Sequence, residues 1–192
     1  GCYADEHKIT GNNFFSTEYN DYYSYKNSEK VQDGKFYGCE PIWVTTGKNG
    51  IKSATFFWIG SEAEIQGYRP SIYKKYNPKI NFKSRIDSAM YWLDLPNKIS
   101  PQLIMLYFDE PDHSGHKNGP NSQFTLNKVV KMDSLMGYLL YEIDKRKDNK
   151  KINLIILSDH GMAEVDNENI IILDNYLSSI DQYHIYGSGA FI

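Results

Sequence analysis

Two continuous apolar runs of strand length, QLIMLYF (102–108) and INLIILS (152–158), bracket a long stretch with helical periodicity. Runs without polar alternation suit strands covered on both faces. Between them Leu126, Val129, Val130, Met132, Leu135, Met136, Leu139, Leu140 and Ile143 recur at three- and four-residue steps across 121–147, the stripe of an amphipathic helix. Asn121 or Ser122 can cap its start, and DKRKDNKK closes it with cations that suit the helix C-terminal dipole. Strand, helix, strand over 101–165 is a βαβ unit and predicts two parallel strands in one sheet. The fold class that follows is α/β, with a mostly parallel sheet flanked by helices.

The first hundred residues are less regular. SATFFWIG (53–60) reads as a short buried strand closed by Gly60, and 84–95 as an amphipathic helix through Ile86, Met90, Trp92 and Leu93 that Pro96 stops. PSIYKKYNPKI (70–80) reads as irregular, broken by Pro70 and Pro78, and YNDYYSYKNSEK as a surface loop. At 192 residues, one domain or a piece of one is the default. Lys+Arg 21 against Asp+Glu 24 offers no broad attraction for a nucleic-acid polymer or an anionic membrane, so a phosphate-bearing ligand needs a local site. No apolar run is long enough to span a bilayer. Cys2 and Cys39 are read as free thiols, one bridge being the alternative.

Both apolar runs end in groups that resist burial, the first in DEPDHSGH (109–116) and the second in SDHG (158–161). Ligands of open parallel sheets bind beyond the carboxyl ends of the strands. Asp and His are donors for Zn²⁺ or a similar divalent cation, and the absence of Cys from both motifs disfavours a structural thiolate site. Asp112, His116, Asp159 and His160 are therefore the candidate metal ligands. Glu110 and His113 are assigned to loop bracing, and His7 and His184 end no strand. A single catalytic zinc takes three protein ligands and a two-metal centre about six, so four ligands imply either one ion or further ligands elsewhere.

YFDEPDHSGHKNGPNS followed by NLIILSDHGM resembles the ecto-nucleotide pyrophosphatase/phosphodiesterase family of the alkaline phosphatase superfamily. The likeness takes in GCYADEHKITGNNFF, EPIWVTTGKNGIKSATFFWIGSEAEI and IYKKYN in the family's order, while GCYADEHK departs from the usual opening and the last twenty or so residues match loosely. It implies an alkaline-phosphatase-like core, incomplete at both ends, with 1–192 part of one catalytic domain and 1–100 its nucleotide-pocket region. Two Zn²⁺ are implied, one on Asp112 and His116, the other on Asp159 and His160. By position Asn12 matches an asparagine that donates to a phosphate oxygen, and Tyr76 an aromatic that stacks on a nucleobase. Trp58 and Glu62 would lie near it, and Lys30 would match a base-contacting lysine; from the residues alone, core packing is the reading for Trp58 and Tyr76.

The family's nucleophilic Thr and an Asp ligand would precede Gly1, and its last zinc-binding His would follow Ile192, which implies an inactive isolated piece. The implied reaction hydrolyses phosphodiester or pyrophosphate bonds in nucleotides to release nucleoside 5′-monophosphates. Alternatives are a phospholipid or choline-phosphate diesterase of the same superfamily, and a catalytically dead extracellular binding module. The resemblance also implies a small-molecule partner and an extracytoplasmic location, secreted, periplasmic or anchored.

Overall fold

The Tyr-rich stretch expected as a surface loop is half of a β-hairpin with a buried aromatic side. The computed structural model describes residues 2–166, 168, 170–172, 175 and 176, so His184 lies outside the described residues. The chain divides into two units, the first built chiefly from Gly1–Pro78 and Trp92–Leu106 and the second from Lys79–Tyr91 and Tyr107–Ile171.

In the first unit, a short helix α1 (Ala4–His7) leads to β1 (Asn13–Ser16), which pairs antiparallel with β2 (Asp21–Ser24). Tyr23 is 1% exposed, stacked on Phe14 at 4.9 Å and set edge-on against Phe36, whereas its neighbour Tyr22 faces solvent. Tyrosine serves both a buried and a wet face, so a Tyr-Tyr strand shows no alternation in its sequence. Helix α2 (Ser28–Gln32) follows, its first amides from Glu29 and Lys30 donating to the side chain of Asn27.

Helix α3 (Ile42–Lys48) packs against β3 (Ser53–Phe56), every residue of which is buried. β3 is the centre of a three-stranded parallel sheet of order β4-β3-β5, with β4 (Ile72–Lys74) and β5 (Leu103–Leu106) on its two sides. A central parallel strand is covered on both faces, which accounts for the burial of all four residues of SATF, the polar Ser53 and Thr55 included. β4 corrects the irregular reading of 70–80: Pro70 and Pro78 bound the strand from outside and remove no ladder donor within it. The core of this unit is Trp43, Val44, Ala63, Ile65 and Met105, against which Tyr37, Trp58 and Leu103 pack.

Cys2 and Cys39 form a disulfide with Cα atoms 6.5 Å apart, which overturns the free-thiol reading. Gly38 donates its N–H to the His7 carbonyl at 3.0 Å, and a Cβ there would lie 2.5 Å from the Glu6 carbonyl oxygen. Only glycine lets the two backbones approach closely enough to bring the cysteines together. A separation of 37 residues leaves no local trace of that approach.

The second unit carries most of α4 (Phe82–Leu93), then α5 (Asp112–Asn118) and α6 (Gln123–Asp144). The helices predicted over 84–95 and 121–147 are thus present, with Ser122 as the cap of α6: its Oγ accepts the Thr125 N–H at 3.2 Å. Leu139 and Ile143 of the predicted stripe are buried, while Leu126, Val129, Val130 and Leu140 face out. Tyr138 on α6 donates to Asp87 on α4 at 2.6 Å, and Lys83 bonds both.

The predicted second strand of the βαβ unit is absent from the assigned strands among the described residues. Residues 152–158 carry exposed apolar side chains, Ile155 at 79% and Leu157 at 67%. An apolar run reports that side chains favour cover, but a strand exists only where a neighbouring backbone supplies ladder bonds about 4.8 Å away.

Candidate functional site

From the end of β5 the chain runs through Tyr107–Glu110 into α5, whose first residue is Asp112. One turn later His116 lies on the same helix face, as i and i+4 residues do, and its Nε2 is 3.3 Å from Asp112 Oδ1. His160 brings its Nε2 to 3.9 Å from that same oxygen and 3.6 Å from Asp159 Oδ2. His116 and His160 thus both face Asp112 Oδ1, and Asp159 adjoins the group through His160 alone. His113 is exposed and contributes its backbone N–H to the Asp109 carbonyl.

Asp112 Oδ1 is shielded from solvent and has no hydrogen-bond partner. A buried carboxylate oxygen without a donor is costly, and the groups facing it are imidazole nitrogens that can also act as ligands. Two donors each about 2.1 Å from a tetrahedral zinc lie about 3.4 Å apart, close to the Asp112–His116 spacing. The Asp112–His116 pair and its orphaned oxygen fit two positions of a divalent cation's shell, whereas among the described residues no third Asp or His atom lies within 4.8 Å of both.

The other imidazole nitrogen of His160, Nδ1, lies 2.8 Å from the Gly161 carbonyl. With the proton on Nδ1, Nε2 keeps its lone pair for a metal, the usual arrangement of ligating histidines. That backbone carbonyl first, and Asp159 second, raise the His160 pKa above 6.5. The Asp159–His160 segment seats against α5 through Met162, whose sulfur occupies the place a Cβ on Gly115 would take. Gly115 thus keeps the place for Met162 open.

The ligand-bearing turn is itself held by charge. Arg85 of α4 is 1% exposed and donates to the Tyr107 carbonyl at 2.6 Å and to Asp109 Oδ1 at 3.2 Å, with its guanidinium 4.6 Å from the Phe82 ring centroid. Glu110 accepts the Ser114 N–H at 3.1 Å and the Lys128 ammonium at 2.9 Å. Burial pushes the Glu110 carboxyl up, but the bonds from Ser114 and Lys128 outweigh it and the pKa is lowered. The sequence reading did not single out Arg85. Its signal was position, because 85 falls on the helical stripe with Ala89 and Trp92, and a charge on an apolar stripe needs partners.

In the first unit, Tyr76 is 50% exposed, its ring 5.2 Å from that of Phe57 and its N–H donated to Glu62 Oε1 at 2.8 Å. Glu62 is 8% exposed and acts here on the Tyr76 backbone. Phe57 has φ 63°, a left-handed conformation that bulky residues rarely adopt; the turn it makes sets its ring under Tyr76. Trp58 is half-buried against the core. Asn12 is exposed just ahead of β1, and Lys30 of α2 holds Asp21 at 2.6 and 2.7 Å. Cys2, Glu6 and Cys39 also cluster, but their sulfurs are bonded to each other and are not free to ligate.

Comparison with known proteins bears on this arrangement. Residues 1–192 match the family described as Type I phosphodiesterase / nucleotide pyrophosphatase. The chain is similar to ectonucleotide pyrophosphatase/phosphodiesterase family member 1 of Homo sapiens, 38% identical over 99% of this chain and 20% of that protein. It is similar to venom phosphodiesterase 2 of Crotalus adamanteus, 36% identical over 97% of this chain and 23% of that protein. Among solved structures, murine ectonucleotide pyrophosphatase / phosphodiesterase 5 superposes with a TM-score of 0.87 at 31% identity, covering 95% of this chain and 48% of that one. An inactive form of the same murine protein in complex with AMP superposes with a TM-score of 0.84 at 31% identity, covering 95% and 48%. The chain spans about a fifth of the length of these curated relatives.

Proposed function

The chain belongs to the type I phosphodiesterase / nucleotide pyrophosphatase family, and from that premise we propose that the protein hydrolyses phosphodiester or pyrophosphate bonds in nucleotides, releasing nucleoside 5′-monophosphates, with two Zn²⁺ or similar divalent cations. The observation that carries this reading is the convergence of Asp112, His116 and His160 on one shielded, unpartnered carboxylate oxygen. A cation held there supplies Lewis-acid stabilisation of the charge that builds on phosphate oxygens.

The side chains divide the remaining work. Asp112 and His116 hold one cation, Asp159 and His160 the other. Gly161 fixes the His160 tautomer through its carbonyl. Asn12 donates its amide to a non-bridging phosphate oxygen, where a fixed dipole acts on developing charge. Tyr76 offers the exposed ring for a nucleobase, kept at its angle by Phe57 and by the Glu62 carboxylate on its N–H; Trp58 backs this region, and Lys30 contacts the base while sharing its ammonium with Asp21. The exposed Tyr76 ring suits stacking on a nucleobase, and because an aromatic face also takes a choline ammonium by cation–π contact, the substrate class is decided by the parallel assay below.

The relatives are named as ectoenzymes and venom proteins, and the Cys2–Cys39 bridge suits an oxidising compartment. We place the protein outside the cytoplasm on both grounds; no helix among the described residues is long and apolar enough to cross a membrane.

The test is Asp159→Asn in the full-length protein, assayed with a nitrophenyl ester of a nucleotide and, in parallel, with nitrophenyl phosphocholine. Turnover of the nucleotide ester falls by about 10³-fold or more, since a catalytic metal supplies several kcal/mol of charge stabilisation. Near-normal turnover removes Asp159 from the metal set, and a preference for phosphocholine moves the substrate class.

A further inference from the structure

Metal affinity depends on how firmly the ligands are held before the ion arrives, and the turn carrying Asp112 is gripped from two helices by groups that touch no ligand atom. On one side, Arg85 of α4 bonds the Tyr107 carbonyl at 2.6 Å and Asp109 at 3.2 Å, three residues upstream of Asp112. On the other, Lys128 of α6 reaches Glu110 at 2.9 Å, and the second oxygen of Glu110 takes the Ser114 N–H in the first turn of α5 at 3.1 Å. Glu110 thus caps the very helix that presents Asp112 and His116 on one face, and Lys128 fixes the direction from which it does so. The Glu110 side chain is 11% exposed and the Lys128 side chain 29%, so neither partner is a freely swinging surface charge.

We infer that Glu110 and Lys128 are positioning residues for the metal centre, which hold the start of α5 so that Asp112 and His116 keep their 3.3 Å spacing without the ion. Arg85 supports the same turn through Asp109. The inference rests on the metal reading above and adds to it the requirement for a rigid α5 start. Groups that orient ligands without binding the ion typically contribute 10- to 100-fold in metal affinity.

The experiment is calorimetric titration of the metal-stripped full-length protein with Zn²⁺, alongside thermal melting of each variant without metal. Glu110→Gln and Lys128→Met each weaken zinc binding by about 10- to 100-fold, the double variant by no more than the worse single, and Lys128→Arg restores most of the affinity. Leu139→Ala, a buried position of the same helix, serves as the stability control: it lowers the melting temperature and leaves zinc affinity intact. Zinc affinities within twofold of the parent in both Glu110→Gln and Lys128→Met, or an equal loss in Leu139→Ala, overturn the inference. Asp112→Asn separates the two claims. If it leaves zinc binding unchanged, the metal reading falls; if it alone abolishes binding, the metal reading stands and the positioning role does not.

Discussion

The region presenting Tyr76 is held chiefly by apolar contact and a covalent bridge, with the Glu62 carboxylate on the Tyr76 N–H, whereas the region presenting Asp112 and His160 is held chiefly by charge. In the first, Trp43, Val44, Ala63, Ile65 and Met105 form the core, Phe57 lies under Tyr76, and Cys2–Cys39 ties the N-terminal turn. In the second, Arg85–Asp109, Lys128–Glu110 and the Lys83–Asp87–Tyr138 cluster join the elements that carry or flank the ligands. An aromatic platform needs chiefly a shape to lie on, which apolar packing supplies. Ligands that must point several donors at one small volume need directional restraint, and charge-assisted hydrogen bonds supply direction.

Breaking the bridge is the sharpest probe of this contrast. Replacing Cys2 and Cys39 by Ser opens a closure of 37 residues and costs about 2–4 kcal/mol. All three tryptophans, Trp43, Trp58 and Trp92, belong to the first region, so urea unfolding followed by tryptophan fluorescence shifts to lower denaturant while the helical signal of α4 and α6 moves less. Equal shifts in both signals would mean that the two regions share one scaffold after all.

Tyr76→Ala comes next in size. Base stacking contributes about 1–3 kcal/mol per base, so KM for a nucleotide ester rises by about 5- to 150-fold while turnover of a diester without a base stays near that of the parent. Tyr76→Phe, which keeps the ring, separates stacking from any role of the hydroxyl. Losing activity on both substrates would place Tyr76 in the fold of its region and not on the ligand.

Acid is the mildest probe. The bond from Tyr138 first, aided by Lys83, holds the Asp87 carboxyl below its ordinary 3.8 against the desolvation that opposes it. A depressed folded pKa stabilises at pH above the unfolded value, and that contribution is lost as pH falls through the folded one. Taking the protein from pH 5 towards pH 3 therefore loosens α4 against α6 by about 0.2–1 kcal/mol, the size of an exposed pair, read as faster amide exchange along both helices. Asp87→Asn removes the effect, and an unchanged pH response in that variant would assign it to other carboxylates.

Local patterns carried far in this chain wherever one element could be recognised by its own periodicity. The helices over 82–93 and 123–144 and the strands over 53–56 and 103–106 follow from patterns that a helix or strand repeats along itself, whereas the helix Asp112–Asn118 that pairs Asp112 with His116 was not among those expectations. The hairpin strand through Tyr23 did not show, because tyrosine fits both faces, and β4 was hidden between two prolines that only bound it.

The residues in order were enough to name the kind of donor available, Asp and His after two apolar runs, and the strand 103–106 that leads to the first of them. Which donors face one oxygen, which charges brace them, and the bond between two cysteines 37 residues apart come from the folded arrangement. It also decided that 152–158 lies in no strand among the described residues. The division has one physical cause. A helix closes its hydrogen bonds within a few residues, so its code is local; a strand pair, an ion pair and a disulfide each need a partner that the rest of the chain must bring into range.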